Sequence, residues 1–177
     1  MRPKLARDGT AGSAKASHVT DPTPFVAFDD DPELPGWKRW QFRDATRFNA
    51  FLEPIHVRTG EGRAIVRMTP RREHSNMRDA VHGGALLGFI DVALFAGCRG
   101  MGLLEAGGAV TVDLTAQFIG EAVIDRPIEA EVELLRETRR LIFLRGLVGQ
   151  ADARVASFSA TIRKMAPGSL SPSGERE

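Results

Sequence analysis

Eighteen residues near the middle of the chain, His82-Gly-Gly-Ala-Leu-Leu-Gly-Phe-Ile-Asp-Val-Ala-Leu-Phe-Ala-Gly-Cys-Arg99, constrain the fold more than any other stretch. The run is too long for a buried strand. At helical spacing its apolar residues point in every direction, the pattern of a helix covered on all sides. Between His82 and Cys98 the only charged side chain is Asp91. An ionised carboxylate in such surroundings costs on the order of several kcal/mol unless it is paired or hydrogen-bonded. Asp91 therefore meets a structural polar partner, faces solvent at a gap, or serves as a general base or nucleophile in a dry pocket.

Around this helix the sequence changes period. Val110, Val112, Leu114, Ala116 and Phe118 alternate with Thr111, Asp113, Thr115 and Gln117, and Ile128, Ala130, Val132 and Leu134 alternate with Glu129, Glu131 and Glu133. Period two is the signature of a strand with one buried face. Leu141–Gly149 and Arg154–Ile162 read the same way, and a hairpin is predicted over Ile55–Val57 and Ala64–Met68. Asp30-Asp31-Pro32 and Leu34-Pro35-Gly36 are turn chemistry ahead of the aromatic cluster Trp37, Trp40 and Phe42. Asp44 is placed to cap a short helix through Phe48 and Phe51, ending before Pro54. The sum is an α+β architecture, five to six antiparallel strands curled around one long central helix over about 82–99.

A chain of 177 residues suits one domain. Its folded part is expected over 25–166. The Ala-, Ser-, Thr- and Gly-rich residues 1–24 are expected as a loose arm and 167–177 as a flexible tail. With 24 Lys and Arg against 23 Asp and Glu, no concentrated basic face points to nucleic acid or to a membrane surface. The basic N-terminal residues have no apolar stretch behind them, so no secretory signal is expected. A single cysteine, Cys98, excludes an internal disulfide and reads as a buried structural thiol in a cytoplasmic protein. Neither a phosphate-cradling glycine loop nor a nucleophile elbow is present. His74 and His82 lack a carboxylate or thiol at ligand spacing, so no metal or cofactor is expected.

Gly83 and Gly84 open the helix, where free backbone N–H groups and the positive end of the dipole can hold a developing oxyanion. Asn76, just upstream, either adds a side-chain amide to the same carbonyl or serves as an ordinary turn residue. Gly83 and Asp91 are separated by about 12 Å along a helix axis. One reacting carbonyl carbon needs both groups within a few ångströms, so one copy of the helix cannot supply both. Two antiparallel copies can.

These residues resemble a known group. Asn76-Met-Arg-Asp-Ala-Val-His82-Gly83-Gly84 through Asp91, followed by Val110-Thr111-Val112-Asp113-Leu114, is similar to hot-dog-fold thioesterases of the phenylacetyl-CoA thioesterase-like kind, with a likeness running over most of 45–165. The resemblance implies a hot-dog fold and an acyl-CoA thioesterase. Gly83 would supply the oxyanion N–H, Asn76 would help polarise the carbonyl, and Asp91 from the neighbouring subunit would activate water or attack directly. Thr111 would orient the water, and His82 would hold the loop rather than exchange protons. It also implies homodimers that often pair into tetramers. On a regular strand Thr111 would share a face with Asp113 and Thr115, so either that face borders the pocket or local twist turns Thr111 inward. The phosphates of coenzyme A call for a basic rim, for which Arg139 and Arg140 at a hairpin turn are the candidates, with Arg71 and Arg72 behind them. Trp37 and Trp40 precede the shared region and either wall the acyl pocket or pack the sheet. The rival reading is a non-catalytic acyl-CoA-binding or regulatory protein on the same fold.

Overall fold

The computed structural model describes residues 25–104 and 108–165; the arm expected over 1–24 and the tail expected over 167–177 lie outside them. One antiparallel sheet runs through the described chain. Its strands are β1 (Val26–Asp30), β2 (Lys38–Phe42), β3 (Ile55–Gly60), β4 (Arg63–Met68), β5 (Ala109–Phe118), β6 (Ile128–Glu137), β7 (Leu141–Gln150) and β8 (Ala153–Lys164), and the single α-helix is α1 (Gly83–Gly100). They lie in the order β1-β2-β3-β4-β6-β7-β8-β5, so α1 carries the chain from β4 across the sheet to its far edge. This is the hot-dog fold.

The expected number of strands was too low, because eight are present among the described residues. The missed pair is β1 and β2, joined by the Asp31–Trp37 turn that the sequence marks clearly. Both are five residues long and charged at one end, too short for their alternation to stand out. Phe48–Leu52 forms a 3-10 turn rather than an α-helix, and Asp44 caps the preceding bend by accepting from the Thr46 N–H at 3.0 Å.

Alternation does the rest. The apolar positions of β3, β4, β6, β7 and β8 turn inward, and Phe89, Ile90, Ala93 and Leu94 of α1 are fully buried against them. Each such side chain contributes roughly 1.5–3 kcal/mol when taken fully from water. At Gly97 the helix approaches the sheet so closely that a Cβ would lie 3.3 Å from Ala64 and 3.4 Å from Val132. On the outer face Glu129, Glu131 and Glu133 of β6 meet Arg67, Arg63 and Arg145 of the flanking strands. Such exposed ion pairs add little stability and mainly keep that face wet.

Candidate active site

By length and a mean hydropathy of 1.3, α1 would pass for a membrane span, yet ten of its residues are buried inside this core. It is not covered on every side, however, as its sequence predicts. Leu87 is 40 % exposed, Gly84 is exposed, and Gly88, Asp91 and Phe95 are half-buried. These positions recur every three or four residues, so they form one open face along the helix. Asp91 sits on that face, half-buried rather than sealed in.

Its partner comes from β5. Thr111 Oγ1 donates to Asp91 Oδ1 at 2.7 Å. A β-bulge makes this contact. The register of β5 with β8 passes from Thr111↔Ile162 directly to Asp113↔Thr161, leaving Val112 as the extra residue. One extra residue inverts the alternation. Thr111 therefore shares the inner face with Leu114 and Ala116, while Val112 is 58 % exposed. That decides the question of facing which strict alternation left open.

At the other end of the open face, His82 caps α1. Its Nδ1 accepts from the Gly84 N–H at 2.9 Å, so the Gly84 N–H, expected to face substrate, is already taken. The Gly83 N–H has no hydrogen-bond partner among the described residues, and Phe118 of β5 lies over the Gly83 Cα, 3.6 Å from where a Cβ would stand. The same end is stitched together by His82 N–H donating to the His74 carbonyl and Val81 N–H to the Ala122 carbonyl, both at 2.8 Å.

Asn76 is a turn residue in this fold. Its Oδ1 accepts from the Arg78 N–H at 2.8 Å and the Ala80 N–H at 3.3 Å. With the oxygen so engaged, the amide NH2 is the end left to donate outward. Gly83 and Asp91 lie two helical turns apart on one copy of α1, so a single chain does not bring them together.

Arg139 and Arg140 are exposed on the β6–β7 turn and form no ion pair among the described residues. That turn lies beyond Thr111, because the Lys164 N–H donates to the Arg140 carbonyl at 2.9 Å and Lys164 pairs with Ala109 of β5. Arg71 and Arg72 are committed locally. Arg71 donates to Glu73 and to the Phe51 and Glu53 carbonyls, and Arg72 to Asp79 at 2.7 Å. Neither tryptophan borders Asp91: Trp37 lies between the Arg58 and Arg67 guanidiniums, and Trp40 packs between Phe28 and Phe42. Cys98 is fully buried, and burial pushes its thiol up to about 12, so it carries no nucleophile. A cleft of about 540 Å3 is lined by Ile65, Glu129, Glu131 and Leu147, on the opposite face of the sheet from Asp91.

Sequence reasoning places Phe48 and Phe51 in a short helix, sets His74 aside as a metal ligand, and gives none of the three a place in the site. His74 is 1 % exposed and uses both ring nitrogens. Nδ1 accepts from the Arg71 N–H and Nε2 meets the Phe51 carbonyl, each at 2.8 Å, which requires the neutral ring protonated at Nε2. The available signal was a histidine two residues ahead of Asn76, and nothing local showed that Phe51 would reach it.

The sequence profile of the thioesterase superfamily matches residues 79–157, the stretch from the loop before α1 into β8. No functionally curated protein matches the chain. Solved structures do. The PaaI protein of the Escherichia coli phenylacetic acid degradation operon is 20 % identical with a TM-score of 0.60, covering 71 % of this chain and 87 % of that one. Mouse thioesterase superfamily member 2 is 20 % identical with a TM-score of 0.56, covering 66 % and 86 %. A hypothetical thioesterase from Streptococcus pneumoniae, solved with coenzyme A, is 15 % identical with a TM-score of 0.59, covering 68 % and 94 %. Helix, bulged edge strand and capped glycine pair thus sit within the segment that matches the thioesterase superfamily profile, and the chain shares the hot-dog fold of these solved structures.

Proposed function

We propose that this protein hydrolyses an acyl-CoA thioester to free acid and coenzyme A in the cytoplasm, in a site completed by a second copy of itself. The observation that carries the reading is the Thr111–Asp91 hydrogen bond of 2.7 Å on the open face of α1. Thr111 holds Oδ1, which leaves Oδ2 to take a proton from water. The resulting hydroxide adds to the thioester carbon, and negative charge moves to the carbonyl oxygen. The Gly83 N–H and the Asn76 amide of the other copy are suited to receive that charge. Collapse of the adduct breaks the C–S bond and expels the coenzyme A thiolate, which is protonated by solvent. Asp91 attacking the carbon directly, followed by hydrolysis of the anhydride, uses the same geometry.

The second copy has an argument of its own. β5 is an edge strand, and Leu87, Val110, Val112, Phe118 and Ile119 expose apolar surface along it and the neighbouring helix. An unpaired edge with apolar side chains is a template for another strand. Pairing β5 with its own copy in antiparallel fashion would bring the Gly83 end of one helix to the Asp91 of the other; dimers of such dimers would give a tetramer. Arg139 and Arg140 are suited to meet the coenzyme A phosphates.

Replacing Asp91 by Asn should lower kcat for thioester hydrolysis by about 100- to 10,000-fold, the range of a lost general base, with the oligomer intact. Steady-state kinetics over a panel of acyl-CoA thioesters decides. An unchanged rate removes Asp91 from the chemistry, and tight acyl-CoA binding without turnover in the unmodified protein favours the non-catalytic reading.

A further inference from the structure

We infer that Phe48, seated on Gly88 of α1 and held by the buried His74, is the wall that limits the length of the acyl group. The inference rests on the acyl-CoA reading above and names which end of that site sets specificity. At about 100° per residue, Gly88 lies about 60° round the helix from Asp91 on one side and Leu87 about 40° on the other. Thr111 beside Asp91 and Phe118 beside Gly83 put β5 on the Leu87 side. Phe48 stands on the Gly88 side. A Cβ built on Gly88 would lie 3.1 Å from Phe48 Cε1 and Cζ, so the ring rests directly on the backbone one turn before Asp91. Glycine permits that approach. Phe48 is nevertheless 63 % exposed, so the rest of the ring faces outward on the Gly88 side of the open face.

Direction follows from charge. The Arg139–Arg140 turn lies past Thr111, on the β5 side of Asp91. A coenzyme A whose phosphates are held there reaches Asp91 from that side, and its acyl group continues across α1 towards Phe48. The wall is braced. The Phe48 and Phe51 rings lie 6.3 Å apart, and Phe51 packs edge-on against His74 at 4.5 Å. The Phe51 carbonyl accepts from His74 Nε2 at 2.8 Å and from Arg71 Nη2 at 3.0 Å. His74 is thus a positioning residue, and Phe48 is the contact.

The test separates binding from turnover. Ethyl, butyl, octyl and dodecyl coenzyme A thioethers, which cannot be hydrolysed, are titrated calorimetrically against the unmodified protein, Phe48→Ala, Phe48→Leu and His74→Asn. The matching thioesters are assayed in parallel. The unmodified protein should favour the short chains. Phe48→Ala should raise the octyl-to-butyl affinity ratio about tenfold, the scale on which pockets discriminate small changes in chain length. Phe48→Leu should fall between. His74→Asn keeps an acceptor for the Arg71 N–H but withdraws the donor to Phe51, and should move the ratio in the same direction by less. A ratio unmoved by Phe48→Ala, or no binding of any thioether, overturns the wall. A moved ratio with no thioester hydrolysed by the unmodified protein keeps the wall and overturns the hydrolase.

Discussion

The two ends of the sheet are finished in opposite ways. At the β1 end the edge strand is short and charged, and the turn beside it packs on the chain's own neighbouring strands. The Asp31–Trp37 turn folds back so that Trp37 lies 4.7 Å from the Arg58 guanidinium and 4.3 Å from that of Arg67. Asp30 pairs with Lys38 at 2.8 Å, and Asp29 adds another exposed charge. At the β5 end, Val110, Val112 and Phe118 on the edge strand and Ile119 just after it are 37–58 % exposed. Charge and self-packing keep an edge solitary, whereas bare aliphatic side chains invite a partner. Of the two described ends, the β5 end is the one suited to the second copy proposed above. It is also the end that carries Thr111, Phe118 and the open face of α1.

The largest effect should come from breaking that asymmetry. Val112→Glu places a charge on the β5 edge at a residue whose side chain makes no contribution to the inner face. On the proposed dimeric site it should give a monomer and cut turnover at least about 100-fold, since Asp91 would then lack the oxyanion donor of the other copy. The matched control, Asp29→Lys at the β1 edge, should change neither. Sedimentation velocity and thioester kinetics on both variants decide. A monomeric Val112→Glu protein with full turnover would show that one chain holds a complete site.

Next in size is the closed end. Trp37 is only 6 % exposed, and Trp37→Ala removes its packing together with both guanidinium contacts. A loss of about 3–5 kcal/mol of stability is expected, the usual cost of truncating a large buried aromatic. Urea titration measures it. Turnover per folded molecule should stay within about twofold, because Trp37 touches nothing near Asp91 and sites this far apart act independently. A variant that stays stable but turns over slowly would return Trp37 to the substrate pocket.

These two ends also differ in how far the sequence discloses them. The helix, the strands β3 to β8 and the isolation of Asp91 are written locally, as period and as one charge in an apolar run. Thr111 beside Asp91 is a different matter. It depends on a bulge at Val112, and the sequence of β5 alternates without any glycine or break to announce one. The openness of α1 around Asp91 was hidden for a related reason. An all-round apolar helix looks the same whether its last face is covered by its own chain or by another. The β1–β2 hairpin escaped because five-residue strands with charged ends carry too little pattern, and its tryptophan is buried by arginine side chains from β3 and β4, a long-range contact. Asn76, His82 and Gly83 were visible as a motif, but the sharing of labour among them was not. His82 takes the Gly84 N–H and the Asn76 oxygen closes its own turn, which leaves the Gly83 N–H and the Asn76 amide NH2 as the unclaimed donors among the described residues.

The smallest effect concerns the ion-paired cluster that pins the closed end. Asp31 is buried, with Oδ1 accepting from the Glu33 N–H at 2.8 Å and Oδ2 lying 3.0 Å from His56 Nε2 and 3.6 Å from Arg39 Nε. The Glu33 N–H above all holds the Asp31 carboxyl below its ordinary value, against desolvation, with His56 and Arg39 helping. Burial pushes the His56 imidazole down, against the pull of Asp31, and Arg39 and Arg67 add to the shift. A histidine depressed on folding binds its proton more readily in the unfolded chain. Its contribution is therefore neutral above the ordinary histidine range, and stability is lost as pH falls through that range towards the folded value. Asp31 acts lower, giving stability above the ordinary carboxylate range that is lost as pH falls through its own depressed value. Between about pH 7.5 and about pH 5 only His56 titrates of the two. His56→Gln keeps a donor for Asp31 without the titration, so the drop in melting temperature over that interval should be smaller in the variant than in the unmodified protein. An equal drop in both proteins would assign the acid sensitivity to groups outside this cluster, and turnover measured at the same two pH values should be indifferent to the substitution, because the cluster braces the edge that takes no part in the site.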